Sequence, residues 1–429
     1  MTASRGRVLA PLILIIISLS CGETYRPVAF PITPTPPNPG ATHFALVVNQ
    51  NGASNPGTVT EIDVSGDSAL SVVKVGLGPV HVATTPDGSR IYSANKLEDT
   101  VSVFSSAPPS LPVIPVTITL PAGSAPVFVH TTQNSTMYVA NYGTGTIAHI
   151  PTSSNIVSSL ISLGAGAKPI ALAETPDGRK LYSVNQGNGT ATAINTVDFS
   201  VNATVATGTS PVWAAARSDS ARVYVLDGAA GTIYAIDTAS DTVVSSSAAA
   251  GTGANFMFYE KTRNRLYVTN PSANTLTILD ASTDALNIFA VLPVQNPVSV
   301  TALPDGSRAY IASAFSTGTT VSSQVAVVDA FSGTFTGAII SLPTVPAVCD
   351  PTSTRFRVFV AAAAESSKVY VTNCDAGSTA IINTIATVAG SPDTLALTLP
   401  APAGNPQPTP TNPNPAPAPQ SPVFTLTGP

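Results

Sequence analysis

The sequence predicts an all-β fold, a β-propeller of four-stranded blades, because one phrase recurs at a nearly fixed period. Arg265–Asn270 (Arg-Leu-Tyr-Val-Thr-Asn) returns as Lys368–Asn373, and close variants end at Asn95, Asn141 and Asn185. The tyrosines of this phrase are 42 to 46 residues apart, except for one later interval of 60. They are Tyr92, Tyr138, Tyr182, Tyr224, Tyr267, Tyr310 and Tyr370. A period in the forties with four strand-like segments per unit is typical of propeller blades.

Each unit reads as four strands in the same order. Pro297 to Leu303 is a first strand, the Tyr phrase is the second, Thr275–Asp280 is a third, and Leu286 to Val291 is a fourth. A Pro-Asp-Gly turn such as Pro304 to Gly306 joins the first two, since proline presets φ and glycine accepts the left-handed conformation. We expect the tyrosines to pack in the core and the closing asparagines to cap turns.

The composition favours strands and argues against a nucleic-acid partner. Hydrophobic residues make up 44% of the 429 residues and charged residues only 10%, which suits short strands better than amphipathic helices. The net charge is −5, and Lys and Arg do not cluster anywhere. A nucleic-acid-binding surface needs such a cluster, so we expect no nucleic acid.

Residues 1–21 are predicted to be an export signal. Arg5 and Arg7 precede an apolar run, Val8 to Ile17, that is too short to span a bilayer comfortably. The run ends at Ser18-Leu19-Ser20-Cys21, which resembles a bacterial lipobox, although Ser18 stands where leucine is usual. We therefore predict lipidation of Cys21, with signal cleavage near Ser20 and a free Cys21 as the alternative. An anchor would make a membrane one partner, with the outer membrane or cell surface favoured and the periplasm as the alternative.

Two segments beside the repeats are rich in proline. Residues 22–41 are predicted to be a semi-rigid linker, because a run such as Pro31 to Pro37 favours polyproline II. Residues 401–429 consist largely of Pro, Asn, Thr, Gln and Ala, and we expect a disordered or polyproline-like tail. Its apolar Val423 to Leu426 is expected to be an inert end, with a docking tag as the alternative. This leaves 42–400 for the propeller.

The repeats resemble the YVTN-type β-propeller repeats of bacterial and archaeal surface and exported proteins. The resemblance rests on the Tyr-Val-Thr-Asn copies and the Pro-Asp-Gly turns at Pro86, Pro176 and Pro304, and it covers His43 to about Pro400. The same superfamily includes lactonase-like enzymes, which implies a His, Arg and Glu set around the central channel. That set cannot be placed here residue by residue, so the enzyme activity is only an alternative.

The number of second strands predicts eight blades, with seven, the number that the family favours, as the alternative. Leu46 to Asn49 is the first copy, without the tyrosine, and its unit lacks a first strand. We predict that a C-terminal strand completes this blade and closes the ring, with Thr394 to Leu399 as the candidate. Closure of this kind removes free strand edges.

The 60-residue interval predicts an insertion, Ser341 to Arg355, as an extra loop. It places Cys349 in the same repeat as Cys374, and neither belongs to a zinc-like spacing. In an exported protein such a pair predicts a disulfide, worth about 2–4 kcal/mol, with two buried thiols as the alternative.

The first strands carry the candidate site residues. His81 and His130, with Glu174, are a conceivable metal set, but no acidic residue or cysteine accompanies them at equivalent positions, so we predict no metal. An aromatic-rich ring at these strands reads either as blade packing or as a channel-mouth pocket. The pocket version uses Trp213, Phe256, Arg217 and Glu260.

The sequence contains no Gly-x-Ser-x-Gly elbow with a partnered histidine, no His-Glu-x-x-His and no Gly-rich phosphate loop. We therefore predict no catalytic residues and no cofactor. The expected function is a binding or scaffold module at the cell envelope whose partner is an unknown protein or envelope polymer. A lactonase-like hydrolase with a site at the central channel is the alternative.

Overall fold

The computed structural model describes residues 44–64, 66–106, 114–132, 134–349, 356–385, 392–400 and, for the backbone alone, 424–427. All of them belong to one compact unit, Ala41–Pro429. The predicted signal, Cys21 and nearly all of the linker fall in the preceding unit, Met1–Gly40, which lies outside the described residues. In the described part every regular element is a strand, and no helix there could cross a membrane.

The strands form eight four-stranded antiparallel sheets, each of which is one blade, as predicted. Blade 1 contains β1 (Phe44–Asn51), β2 (Asn55–Asp63) and β3 (Ser68–Leu77). Blade 2 contains β4 (Pro79–Thr84), β5 (Arg90–Asn95), β6 (Thr100–Ser105) and β7 (Val116–Thr119). Blade 3 contains β8 (Pro126–Thr131), β9 (Thr136–Asn141), β10 (Thr146–Pro151) and β11 (Ser159–Ser162). Blade 4 contains β12 (Pro169–Glu174), β13 (Lys180–Asn185), β14 (Thr190–Asn195) and β15 (Val201–Ala206).

The remaining four blades follow in chain order. Blade 5 contains β16 (Pro211–Ala216), β17 (Arg222–Asp227), β18 (Thr232–Asp237) and β19 (Thr242–Ser247). Blade 6 contains β20 (Phe256–Glu260), β21 (Arg265–Asn270), β22 (Thr275–Asp280) and β23 (Asn287–Pro293). Blade 7 contains β24 (Pro297–Ala302), β25 (Arg308–Thr317), β26 (Thr320–Asp329) and β27 (Thr334–Pro346). Blade 8 contains β28 (Val358–Ala362), β29 (Lys368–Asn373), β30 (Ser378–Asn383) and β31 (Thr394–Pro400).

The ring is closed by a C-terminal strand, as predicted, but by a different one. β32 (Phe424–Thr427) pairs with β1 and supplies the inner strand of blade 1. Thr394 to Leu399, the predicted closing strand, instead belongs to β31 and is the outer strand of blade 8. The prediction was wrong because β30 also needs a fourth-strand partner, and β31 is the nearest one along the chain. The closing strand therefore comes from the segment that was predicted to be a disordered tail.

The strand order gives the ring two distinct faces. Inner strands end, and second strands begin, on one face, which carries turns such as Pro86 to Gly88; we call it the Pro-Asp-Gly face. Second strands end with residues such as Asn95 on the opposite face, which we call the Asn face. Gly88 has φ 67°, as the predicted turn requires. The predicted turn cap is present at Asn270 and Asn373, where Ala273 N and Ala376 N donate to the side-chain oxygens at 2.9 and 3.1 Å. The side-chain oxygens of Asn95 and Asn141 have no partner among the described residues.

The insertion in blade 7 is partly strand, not a loop throughout. β25 and β26 have ten residues each, and β27 has thirteen and reaches Pro346. Ser313 pairs with Gln324, whereas the equivalent Asn270 in blade 6 pairs with Thr275, so β25 and β26 extend as a hairpin on the Asn face. The spacing of tyrosines shows how many residues a blade has gained but not which of its turns is lengthened. The prediction therefore placed all of the extra residues at Ser341 to Arg355, after the hairpin.

The end of this insertion is attached to blade 8. Cys349 and Cys374 form a disulfide with their Cα atoms 6.0 Å apart, and Cys374 directly follows β29. The backbone N–H groups of Val348 and Cys349 both donate to Asp375 Oδ1 at 2.9 Å. Residues 350–355 lie outside the described residues. The start and the end of the insertion are thus both held on the Asn face.

Neighbouring blades are joined by a clamp between the second strand of one blade and the turn after the third strand of the next. In blade 4, Lys180 Nζ lies 2.7 Å from Asp241 Oδ2 of blade 5, and the hydroxyl of Tyr182 donates to the other carboxylate oxygen. Tyr182 is fully buried, and burial together with Asp241 raises the pKa of its hydroxyl, which keeps it a donor. One carboxylate therefore fixes two side chains of the preceding blade.

The same clamp recurs between blades 7 and 8, and related contacts join other blades of the ring. Arg308 and Tyr310 of blade 7 both donate to Asp393 of blade 8. Lys368 of blade 8 lies 2.6 Å from Asp67 of blade 1, so the clamp also joins the last blade to the first. Arg90, Arg222 and Arg265 contact the Thr152 carbonyl, the Asp284 carboxylate and the Ala330 carbonyl of the next blades. The basic residue that opens the Tyr phrase is part of the connection between blades.

Blade 3 has an aromatic stack in place of this clamp. Thr136 stands at the basic position, and Phe199 of blade 4, with φ 62°, occupies the turn position of Asp241. His149 stacks on Phe199 with ring centroids 3.8 Å apart, and burial lowers the pKa of this histidine. The hydroxyl of Tyr138 is buried without a hydrogen-bond partner in the described structure.

We predict that Asp241→Ala lowers the free energy of unfolding by about 2–4 kcal/mol, because the ammonium of Lys180 and the hydroxyl of Tyr182 lose their shared acceptor. Urea denaturation measures this loss. Asp198→Ala is the control, since Asp198 lies in the corresponding turn of blade 4 and, among the described residues, its side chain bonds only to Ser200. Equal losses in the two variants would contradict the clamp.

Glu61 is a buried acid at the junction of blades 1 and 2. Glu61 is 2% exposed and pairs across the sheet with Leu46, which stands where other blades have the tyrosine. Val59, on the same face of β2, packs in a core cluster with Ile91 of blade 2. Ser71 Oγ donates to Glu61 Oε2 at 3.0 Å, and Oε1 has no described partner. Burial raises the pKa of Glu61 to about 7.

We predict that Glu61 makes the fold less stable as pH rises. The carboxyl has its ordinary pKa of 4.5 in the unfolded chain and a pKa of about 7 in the fold, so the fold favours the protonated form. Its contribution is complete below the unfolded pKa and is lost as pH rises through about 7. Urea unfolding between about pH 5 and about pH 8 should show a smaller decline for Glu61→Gln. An unchanged decline would assign the effect to another group.

Candidate functional site

The central channel is crossed near the Asn face by an aromatic cluster. Its members are Phe128, Trp213, Phe256, Phe356 and Phe359. Phe128 of blade 3 meets Trp213 of blade 5 with ring centroids 6.0 Å apart, and Trp213 meets Phe356, just before blade 8, at 6.3 Å. These blades are not neighbours in the ring, so the contacts span the channel. The aromatic-rich ring predicted from the first strands is thus a plug.

Small residues at the equivalent positions make room for this plug. Ala171 of blade 4 and Ser299 of blade 7 stand where other blades carry aromatic rings. Ser299 is fully buried, and its hydroxyl donates to the Val358 carbonyl at 3.1 Å. Trp213 and Phe256 can therefore approach each other and Phe356 across the axis. Sequence reasoning missed Phe356, because it lies before the strand to which the repeat pattern applies.

Arg217 and Glu260, which were predicted to join the aromatic residues in a pocket, are engaged elsewhere. Arg217 forms an ion pair with Asp219 at 2.9 Å, and this partner raises the pKa of the guanidinium. Glu260 accepts hydrogen bonds from the backbone N–H groups of Thr262 and Arg263, so it caps its own turn. Trp213 and Phe256 belong to the plug. The structure does not bring the four together as one polar pocket.

His130 and Glu174 lie together between blades 3 and 4, toward the Pro-Asp-Gly face. His130 Nε2 is 3.0 Å from Glu174 Oε2, and the other carboxylate oxygen is buried without a described partner. The negative charge of Glu174 adds to burial in raising the pKa of Tyr138. His81 instead stacks on Phe128 at 3.9 Å, and its Nδ1 accepts from Val129 N at 3.4 Å. Within the described residues no three metal-ligating side chains converge.

A cavity of about 460 Å³ opens on the Pro-Asp-Gly face of the ring, at the ends of inner strands of blades 5, 6 and 7. Phe258, Tyr259 and Lys261 are its largest side chains, and Ala216 and Ala302 leave space between them. Of the residues that line this cavity, only Glu260 was predicted from the sequence to belong to a pocket. Phe258 follows Phe256 by two residues on the same strand, and the alternation of a strand would have revealed it.

The comparisons with known proteins identify the fold. No family model and no curated protein matches the chain. A 6-phosphogluconolactonase-like protein from Bacteroides uniformis is 16% identical with a TM-score of 0.55, covering 70% of this chain and 97% of its own. Apo AztD from Citrobacter koseri is 12% identical with a TM-score of 0.60, covering 90% and 98%. Dihydro-heme d1 dehydrogenase NirN is 12% identical with a TM-score of 0.64, covering 88% and 77%.

At these low identities the structural similarity shows a shared fold and nothing more. The YVTN-type label stays a resemblance, because it rests on this chain's own repeats.

We predict that Trp213, the single tryptophan, reports the plug. Its fluorescence should be shifted to short wavelength and weakly quenched by iodide, since Phe256 lies 4.6 Å away and the ring is partly buried. Phe356→Ala should increase the quenching and lower the free energy of unfolding by about 3–5 kcal/mol. Phe335→Ala, at a 40% exposed phenylalanine of blade 7, is the control. Strong iodide quenching in the unmodified protein would mean an open channel.

Proposed function

We propose that the chain is an exported, lipid-anchored β-propeller that acts as a non-catalytic binding or scaffold module at the cell envelope. The observation that supports this function is the aromatic plug. Phe128, Trp213 and Phe356 cross the channel, which in an enzyme of this fold would hold the substrate. Arg217 and Glu260, the charged residues predicted there, are held by Asp219 and by backbone N–H groups.

The blade 7 hairpin is the proposed contact surface. Its tip, Ser316 to Thr319, is exposed and contains hydroxyl groups without charges. The following segment is attached to blade 8 by the Cys349–Cys374 disulfide, so the elaborated part of the Asn face is preorganised. Repeat proteins commonly carry insertions on their binding face. An uncharged hydroxyl-rich tip suits a protein surface or an envelope polymer.

A lactonase-like hydrolase is the second candidate, and the His130–Glu174 pair favours it. A histidine held by a carboxylate is a general base in many hydrolases, and this pair lies away from the plug. The solved 6-phosphogluconolactonase-like protein shares the fold. Against this candidate, Glu174 is largely buried between two blades, with its side chain 11% exposed.

The anchor is tested by expressing the full chain in a bacterial host with an alkyne-bearing fatty acid. We expect the protein to carry the fatty-acid label and to be recovered in the membrane fraction, since Cys21 would carry the lipid. Cys21→Ser should be unlabelled and absent from the membrane fraction. The double variant Cys349→Ser/Cys374→Ser is the control and should keep the label. An unlabelled protein would refute the anchor.

The binding role is tested with a photo-crosslinking residue at Thr319. It should join the tip to an envelope component in intact cells, whereas the same residue at Ser272, in the ordinary turn of blade 6 on the same face, should not. In parallel, the purified protein is offered 6-phosphogluconolactone and simple lactones, and we expect no hydrolysis above the buffer rate. Hydrolysis that His130→Ala abolishes would establish the hydrolase instead.

A further inference from the structure

We propose that the cavity on the Pro-Asp-Gly face binds a small apolar carboxylic acid. The cavity volume of about 460 Å³ falls within the range of small-molecule sites. It lies on the opposite face from the blade 7 hairpin, so it is independent of the proposed contact surface. Four blades contribute to it, from Pro176 in blade 4 to Pro304 in blade 7.

The walls of the cavity are mostly apolar. Phe258 supplies an aromatic side chain, and it packs against the core cluster that contains Phe256 and Tyr267, so its ring is supported from behind. The other apolar lining residues are Pro176, Ala216, Ala302, Leu303 and Pro304. Most of these side chains are small or rigid, so the space between them is preformed. Little rotamer freedom is then lost when a ligand enters. The ligand body is therefore hydrocarbon or an aromatic ring.

The acidic group of the cavity is not offered to a ligand. The carboxylate of Glu260 accepts the N–H groups of Thr262 and Arg263, and the residue is 3% exposed. The hydroxyl of Tyr259 donates to Asn264 Oδ1 at 2.5 Å and lies 3.2 Å from Ser218 Oγ. A cationic ligand would find no open counter-charge here.

Lys261 is the cation that the cavity presents. It is exposed, and no hydrogen bond or ion pair engages its ammonium within the described residues. The nearby guanidinium groups are engaged, since Arg217 pairs with Asp219 and Arg263 donates to the Gly306 carbonyl at 2.6 Å. One free ammonium beside an apolar wall matches a singly charged acid. A phosphate, with two charges, is usually held by several converging donors.

The test uses the full chain and 2-naphthoate, a fluorescent aromatic acid, with 2-naphthalenemethanol as the uncharged control of similar size. We expect saturable 2-naphthoate binding and weaker binding of the alcohol. Lys261→Gln should weaken 2-naphthoate binding about twofold to fivefold, as the loss of one exposed ion pair predicts. Binding of the alcohol should not change. Lys74→Gln removes an exposed charge on the outer strand of blade 1 and should have no effect.

A second variant locates the site. Ser218→Phe places a ring at the exposed rim of the cavity and should block both compounds while urea unfolding stays close to that of the unmodified protein. Undetectable 2-naphthoate binding at millimolar concentration would overturn the proposal. Equal affinity for acid and alcohol, or a Lys261→Gln variant with unchanged affinity for the acid, would also overturn it. Binding that persists in Ser218→Phe would place the ligand elsewhere.

Discussion

The structure depends on acceptors in the turns after third strands, which bind the basic residue that opens the Tyr phrase of the preceding blade. At Asp241 and Asp393 the same carboxylate also accepts the tyrosine hydroxyl. A propeller blade packs its two faces closely against its neighbours. A shared acceptor such as Asp241 or Asp393 adds hydrogen bonds, which depend on direction as well as distance. Between blades 3 and 4, Phe199 stands in place of the acceptor and Thr136 in place of the basic residue. His149 stacks on Phe199 there, so every partner of the clamp differs at this one junction.

Most of the fold follows from the repeat, because each blade has the same pattern of strands and turns. The spacing of the tyrosines predicted the length of a blade, and the Pro-Asp-Gly sequences predicted the turn between its first two strands. The missing first strand of blade 1 predicted that another strand must close the ring. The errors came where the repeat stops. Nothing local in Phe424–Thr427 distinguishes a closing strand from a tail, since its partner, β1, lies at the other end of the chain. The blade 7 hairpin was displaced for a similar reason, as spacing measures length and not location.

The site was less predictable than the fold. The pattern of first strands correctly predicted a set of aromatic residues around the channel. Whether their side chains meet across the channel axis depends on small residues such as Ala171 and Ser299 in other blades. The pairing of His130 with Glu174 links residues that the sequence named only as members of a wider set. Lys261 belongs to no motif, and the proposal for it rests on the finding that Arg217 and Arg263 are engaged.

The late origin of β32 has a consequence for biosynthesis. Blade 1 is the first of the eight to be made, yet its inner strand follows every other described strand. Until that strand arrives, β1 presents an unpaired inner edge and the ring stays open, because Lys368 and Asp67 can meet only when blades 8 and 1 are adjacent. The pairing of Phe424–Thr427 with β1 therefore decides when the ring can close, and a chain shortened before Phe424 would leave the β1 edge exposed.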